Sequence, residues 1–455
     1  MRGTIKYDYD FMSSRRVGSS GYKNEELAKL GKELKTIKLK LKNSKNEPEL
    51  SFRKLLGNKK LIKQVTRIAR KLRANFDNLV VVGIGGSDLG ARAVYQALAG
   101  NYANLQAKKG RDMKVYFLGD TTDPQPLADL LKILKLKKTA FYIVSKSGNT
   151  IEPLSVFLFL RKKLIRKVGK RKHKKHFVIT TNQEKGTLLA IAQKEQYLVI
   201  PHYEGGGRFS VLSANGLLPA ACAGFDINQL LVGAKALNRL TKNSYKKNSP
   251  YVFACLQYLA YKKRKQNVSV FMPYTYYLQD FTKWLRQLWG ESISKEKDLQ
   301  NKKVNIGITP VAALGPTDQH SQIQLFMEGP IDKIITFITV AKRKNSFKVP
   351  KYNHNEIKYL TGHKFANILM IERHATAVAL MKNKRPNGTI YLPELNEYYL
   401  GQLFYFFEMA TVYLGYLLNI NPYNQPGVEQ SKKYMYGLLG KPGHDKDKKE
   451  ILNIK

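Results

Sequence analysis

A rhythm between residues 78 and 200 restricts the fold of this chain most. Short apolar runs at 78–83, 114–119, 140–144, 177–180 and 197–200 break off into glycines, hydroxyls or turn residues. Stretches with helical spacing follow, from Ser87 to about Leu98 and from about Thr150. Strands that alternate with helices imply a parallel sheet covered on both faces. The rest is less regular. Residues 1–55 are polar and lysine-rich with helical spacing and read as an N-terminal helical layer. After residue 210 the spacing predicts a long helical section over 211–265, a strand at 267–272 and a helix through Trp284 and Trp289. Further strands are expected near 333–340 and 367–371, and helices from Ala375 and Glu394, with a polar loop over 341–358. A chain of 455 residues exceeds the size of one ordinary core, so a second α/β domain is expected.

Composition excludes several classes. At 43% hydrophobic and 11% aromatic residues the chain can bury a large core and is not globally disordered. Its two cysteines, Cys222 and Cys255, form no CxxC pair, which argues against a zinc site or a disulfide framework and fits a cytoplasmic protein. The start lacks the apolar run of a signal peptide. Residues 403–420 are apolar but interrupted by Glu408, so they read as a buried helix rather than a membrane span. Lys and Arg number 78 against 34 Asp and Glu, a net charge of +44. The excess is spread along the chain, with peaks at 161–176, 262–265 and 446–449, and no nucleic-acid motif accompanies it. Any contact with nucleic acid is therefore expected to be non-specific.

Six motifs could carry chemistry. GIGGSDLG at 83–90 lies at a strand-to-helix junction, where backbone N–H groups favour an anion and Ser87 can cap the helix. It departs from the dinucleotide fingerprint, because Asp88 stands where the third glycine belongs. An ordinary tight turn remains an equal reading. SKSGNT at 145–150 is stronger: Ser145, Ser147 and Thr150 supply hydroxyls beside Lys146, directly before a helix. A phosphate monoester wants many short donors at such a helix start. GGGRFS at 205–210 puts glycines before Arg208, so backbone can approach a ligand and the guanidinium can stabilise developing negative charge; a surface arginine in a flexible turn is an equal reading. In RQLWGES at 286–292, Gln287 and Glu291 are four apart and share one helical face. Glu291 beside Trp289 suits proton transfer; a solvated helix-end glutamate is the commoner case. His320 in GPTDQHS and Lys432 after NPYNQPGVEQS are, taken alone, an ordinary histidine and an ordinary surface lysine.

In this order the motifs resemble one family, the glucose-6-phosphate isomerases. The match runs from about 60 to 435 and includes GIGGSDLG, SKSGNT, GGRFSVLSANGL at 206–217, QLWGES at 287–292, PNGTIYLPEL at 386–395 and INPYNQPGVEQSK at 420–432. Gly205 stands where the family usually has an aliphatic residue, and SGNT replaces the commoner SGTT. The resemblance implies an α/β fold of two αβα sandwich, sugar-isomerase-type domains with parallel-rich sheets. We divide the chain accordingly into an N-terminal helical segment (1–58), two such domains (59–235 and 236–430) and a C-terminal helix and tail (431–455).

The resemblance also implies roles. Ser87, Ser145, Ser147 and Thr150, with backbone near Lys146, would hold the phosphate, and Gly207 would also contact the substrate. Glu291 would move a proton between C2 and C1, and Arg208 would stabilise the enediolate. His320, from the neighbouring subunit of a homodimer, and Lys432 would assist ring opening. Gln287 and Gln425 would position hydroxyls. Isomerisation involves no net redox change, so neither nicotinamide nor metal is expected. Two other classes compete with this one. A sugar-phosphate sensor needs the phosphate loop but not Glu291, Arg208, His320 and Lys432 together. A nucleic-acid binder would rest on charge alone. An isomerase that also takes mannose 6-phosphate is a further variant.

Overall fold

A computed structural model of the chain describes residues 3–43, 50–108 and 111–454. Twelve strands occur among them: β1 (Lys6–Asp8), β2 (Asn78–Val82), β3 (Lys114–Leu118), β4 (Thr139–Ser145), β5 (Phe177–Thr181), β6 (Leu198–Pro201), β7 (Val268–Pro273), β8 (Lys295–Lys297), β9 (Lys303–Ile306), β10 (Thr309–Ala312), β11 (Lys333–Lys342) and β12 (Asn387–Glu394).

The five expected strands of the first half form one sheet in the order β3-β2-β4-β5-β6, every pair parallel. Its central strands are buried on both faces, which is why they read as unbroken apolar runs rather than alternating ones. The two-residue period still divides them. Val80, Val82, Phe141 and Ile143 enter one core with Phe157 and Leu160, while Leu79, Val81, Tyr142 and Val144 face the large central core. The strand ends of β2 and β4 open into the loops at 83–90 and 145–150. Crevices at the carboxyl ends of such strands are where ligands of open parallel sheets sit.

A second sheet has the order β1-β12-β11-β7-β10. It is parallel except for β1, which runs antiparallel beside β12 with Lys6 opposite Tyr391. Between the sheets lie helices Ile227–Leu240, Ser249–Arg264, Gln279–Ile293 and Glu397–Leu417. The last is buried on every side from Tyr398 to Gly415. Among the described residues no helix is long and apolar enough to cross a membrane.

The structure corrects several expectations. Residues 367–371 are not a strand; they lie inside helix Phe365–Lys382. The run Ile368–Ile371 is apolar enough for a strand, but no glycine or proline breaks the pattern before Lys382, and length favours a helix. The strand beside β11 is instead β12, within the PNGTIYLPEL motif. The N-terminal layer is not wholly helical, since it supplies β1. The section 211–265 divides into Ala214–Cys222, Ile227–Leu240 and Ser249–Arg264, each entered through a side-chain cap, at Ser213, Asp226 and Asn248. The helix expected from Ala375 begins at Phe365, and the one expected from Glu394 begins at Glu397, capped by Asn396. The helix expected from Ser87 begins at Leu89 with Asp88 at the cap position.

Candidate active site

The loops that follow β2, β4 and β6 set up one side of the site. After β4 the backbone turns through Gly148 at φ +68°, a left-handed conformation that glycine adopts without a β-carbon clash. The turn is tied by its own hydroxyls. Ser145 Oγ accepts from the Gly148 amide (3.1 Å) and lies 3.2 Å from Thr150 Oγ1, which is 3.4 Å from Ser147 Oγ. Thr150 occupies the cap position of helix Ile151–Val168 without a side-chain cap bond, so the first amides of that helix keep their donors. Ser147 and Lys146 are exposed. Asn149 has a different task. Its Oδ1 accepts from the Thr187 amide at 3.1 Å, the first amide of helix Thr187–Lys194.

The glycine loop at 83–90 packs directly on the arginine loop. A β-carbon on Gly86 would lie 2.2 Å from the Gly207 carbonyl carbon, and one on Gly85 would lie 2.9 Å from Gln287 Nε2. Ser210 Oγ donates to the Gly207 carbonyl (2.6 Å) and sits 3.1 Å from that of Gly86. Ser87, in the turn just before the helix, makes no side-chain hydrogen bond among the described residues. Asp88 is buried and paired with Arg92, which also reaches Asp120 at 3.0 Å. Burial, resisted by Arg92, pushes the Asp88 carboxyl up to about 7.

Arg208 is the centre of the arrangement. Only 1% of it is exposed. Its Nε donates to Ser292 Oγ (2.7 Å); Nη1 donates to Gln425 Oε1 (2.8 Å) and Glu291 Oε2 (3.1 Å). Nη2 donates to the carbonyls of Pro422 (2.7 Å) and Asn424 (3.2 Å). A buried guanidinium needs such a full set of acceptors. Burial lowers its pKa and the Glu291 carboxylate opposes that shift. Trp284 Nε1 donates to the Arg208 carbonyl at 3.1 Å, fixing the loop to helix Gln279–Ile293. Further along that helix, Gln287 Nε2 donates to Glu291 Oε1 at 2.9 Å, as their spacing on one face requires. Glu291 keeps 32% of its side chain exposed, so one carboxylate meets both a buried cation and open space. Gln425 and Lys146 line a common cavity of about 350 Å³ with Glu204, Gly206 and Glu429.

Ten of the twelve residues singled out from the sequence fall on these loops, on helix Gln279–Ile293 or on the segment at Gln425: Ser87, Ser145, Lys146, Ser147, Thr150, Gly207, Arg208, Gln287, Glu291 and Gln425; direct contacts join the 83–90 loop, Arg208, the helix and Gln425, and Lys146 shares a cavity with Gln425. Two stand apart within the chain. His320 is exposed at the end of a short turn, Thr317–His320, and makes no side-chain hydrogen bond among the described residues. Lys432 is on helix Glu429–Leu438, where its Nζ pairs with Glu429 at 2.8 Å. Sequence reasoning missed Ser292, the Nε partner of Arg208. It also missed Lys295, whose i+4 spacing from Glu291 was a signal available to it. It missed the reason for Gly205 as well. A β-carbon there would lie 1.8 Å from the Tyr203 hydroxyl, so in this chain a tyrosine takes the space of the usual aliphatic side chain.

Comparison with known proteins decides what this geometry belongs to. A family model described as phosphoglucose isomerase matches residues 59–449. The chain belongs to the phosphoglucose isomerase family. Its curated relatives include a glucose-6-phosphate isomerase of Carboxydothermus hydrogenoformans, 37% identical over 99% of this chain and 98% of that one. A probable glucose-6-phosphate isomerase of Methanococcus maripaludis is 35% identical, again over 99% and 98%. Among solved structures, a hypothetical protein from Thermus thermophilus superposes with a TM-score of 0.85 at 32% identity, covering 96% of this chain and all of that one. A glucose-6-phosphate isomerase from Chlamydia trachomatis superposes at 0.72 with 25% identity, over 86% and 76%. The expected sugar-isomerase fold, with two parallel-rich sheets flanked by helices, is the fold observed.

Proposed function

We infer that the protein interconverts glucose 6-phosphate and fructose 6-phosphate as an aldose–ketose isomerase of glycolysis and gluconeogenesis. Family membership over almost the whole chain carries the reaction class. The contact between Arg208 and Glu291 carries our reading of how this chain performs it.

The phosphate rests on the 145–150 loop, where the hydroxyls of Ser145, Ser147 and Thr150 lie together just before the Ile151 and Glu152 amides that open the next helix. Ser87, Lys146 and Gly207 complete its surroundings. After ring opening Glu291 takes the proton from C2. The electron pair left behind forms the C1–C2 double bond and places charge on oxygen, where a guanidinium stabilises it. Arg208 is already held rigidly, so little reorganisation accompanies that step. The proton of the 2-hydroxyl passes to the C1 oxygen, Glu291 returns its own proton to C1, and a carbonyl remains at C2. Gln287 and Gln425 orient hydroxyls, since each already bonds one member of the pair.

His320 and Lys432 serve ring opening. The exposed position of His320 supports a homodimer in which it reaches the neighbouring subunit's site. So does a run of exposed apolar side chains nearby in sequence: Phe347 (64%), Tyr352 (68%), Tyr359 (71%), Phe365 (55%) and Ile371 (58%). Two buried free thiols, Cys222 and Cys255, support a reducing cytoplasm.

Two experiments test this. Fructose 6-phosphate is supplied and glucose 6-phosphate formation followed through a coupled dehydrogenase, in deuterated water to record label at C2. Absence of turnover with both glucose and mannose phosphates rejects the function. Mixing inactive Glu291→Gln and His320→Ala proteins should restore part of the activity through hybrid dimers; no recovery after verified subunit exchange rejects the shared site.

A further inference from the structure

The isomerase reading leaves unused the buried cation that lies beside the Arg208–Glu291 pair. Lys295 follows the helix that carries Glu291, is only 8% exposed, and points back under that helix's last turn. Its Nζ donates to the carbonyls of Glu291 (2.5 Å), Ser294 (3.1 Å) and Ser292 (3.3 Å). These are end-of-helix acceptors without helical partners. An ammonium has three N–H donors and finds three carbonyls.

A lysine at a helix end ordinarily extends into water and does this job from outside. Here it is enclosed, with Arg208 as a neighbour of like charge. Two of its three acceptors belong to Glu291 and Ser292, whose side chains are the Nη1 and Nε partners of that same arginine. The backbone on which base and guanidinium meet is thus pinned from below by one side chain. Its charged neighbours are Arg208, from the Gly207–Phe209 turn, and Glu291, from the helix above; across the β8–β9 pair it faces Ile306.

We propose that Lys295 is a positioning residue for the isomerisation, clamping the turn of Glu291 and Ser292 so that the base stays in register with Arg208. The proposal rests on the isomerase function inferred above. It has a pH signature. Burial first, then Arg208, draws the Lys295 ammonium down to about 8, against the opposing pull of Glu291. The clamp is complete below that value and loses a donor as pH rises through it. The rate constant kcat should therefore fall on the alkaline side. KM should follow less, because the phosphate loop is built separately.

The test is the pH profile of kcat and KM for the wild type, Lys295→Arg and Lys295→Met. The methionine variant keeps most of the volume but none of the donors; its kcat should drop on the order of 10²-fold, the usual cost of a misplaced catalytic group, with KM little changed. The arginine variant stays charged at every pH used, so its alkaline fall in kcat should move upward or vanish. A folded Lys295→Met protein with wild-type kcat overturns the proposal. So does an arginine variant that keeps the wild-type alkaline limb. Should neither variant fold, a wild-type kcat that stays level through pH values around 8 overturns it as well. Wild-type protein without any turnover overturns the isomerase function itself, and this proposal with it.

Discussion

The 145–150 loop and the Arg208–Glu291 centre share one site, yet they are built in opposite ways. The loop is local: its hydroxyls bond partners two to five residues away, in the turn that follows β4. The centre is assembled from distant stretches, with Arg208 reaching residues 83, 84 and up to 217 positions away. One is a surface that binds by the number of its donors. The other is a buried charge whose every acceptor matters, since an unmet guanidinium donor in the interior is costly. Changes in the centre should therefore strike turnover and stability, and changes in the loop mainly substrate affinity.

The hardest blow to that contrast comes from Glu291→Gln. The amide keeps the shape and can still accept from Arg208, but it cannot carry a proton. We expect kcat to fall by about 10²–10⁴-fold, equivalent to roughly 3–5 kcal/mol of barrier. Binding of a non-reacting sugar phosphate, measured by calorimetry, should stay close to wild type. Equal losses in kcat and affinity would mean that the two halves are not separable.

Arg208→Lys comes next. Lysine preserves the charge but not the fork that serves Ser292, Glu291, Gln425, Pro422 and Asn424 together. The expected loss is about 10²–10³-fold in kcat. Melting temperature should fall too, because several buried acceptors are left unmet at about 1–3 kcal/mol each before relaxation. A variant that loses turnover without losing stability would show that the network is dispensable to the fold.

Ser145→Ala probes the other side. It removes one of the two acceptors of the Gly148 amide, leaving the Ser145 carbonyl, and one donor to phosphate. We expect KM to rise by about 5- to 10-fold, or roughly 1–1.5 kcal/mol, with kcat nearly unchanged. A fall confined to kcat would place the loop among the parts that act on the reacting atoms.

The same contrast explains what the sequence disclosed. Strands β2 to β6 were legible because each is an apolar run cut off by its own neighbours. The loop at 145–150 was legible for the same reason, as hydroxyls, lysine and glycine stand within six residues. Nothing local joins Arg208 to Glu291 or to Gln425; only the order of motifs did that, through family resemblance. Lys295 was hidden because one lysine among 78 cationic residues reads as surface, and its burial depends on a loop some ninety positions earlier. Strand β1 was hidden because three residues of mixed polarity carry no period, and its partner β12 is supplied from the far end of the chain. The exchange of 367–371 for β12 is the reverse case: a strong local signal overruled by helix length.

Asn149→Thr is the smallest change and the finest cut between the two regions. It restores the commoner SGTT pattern and so adds a hydroxyl to the phosphate loop. If the loop bound by hydroxyl number alone, KM should improve. The structure gives Asn149 another duty, since its Oδ1 holds the first amide of helix Thr187–Lys194, whose cap residue is a glycine with no side-chain bond to offer. Threonine is shorter and branched at Cβ, and its hydroxyl does not extend as far as the asparagine oxygen. The helix start would then lose one acceptor, worth about 0.5–1 kcal/mol, while the neighbouring bond from the Leu188 amide to the Gly148 carbonyl persists. We therefore expect a melting temperature lower by about 1–2 °C in a chain of this size and KM within about twofold of wild type. A clear gain in affinity with no thermal cost would assign residue 149 to the ligand instead of the scaffold.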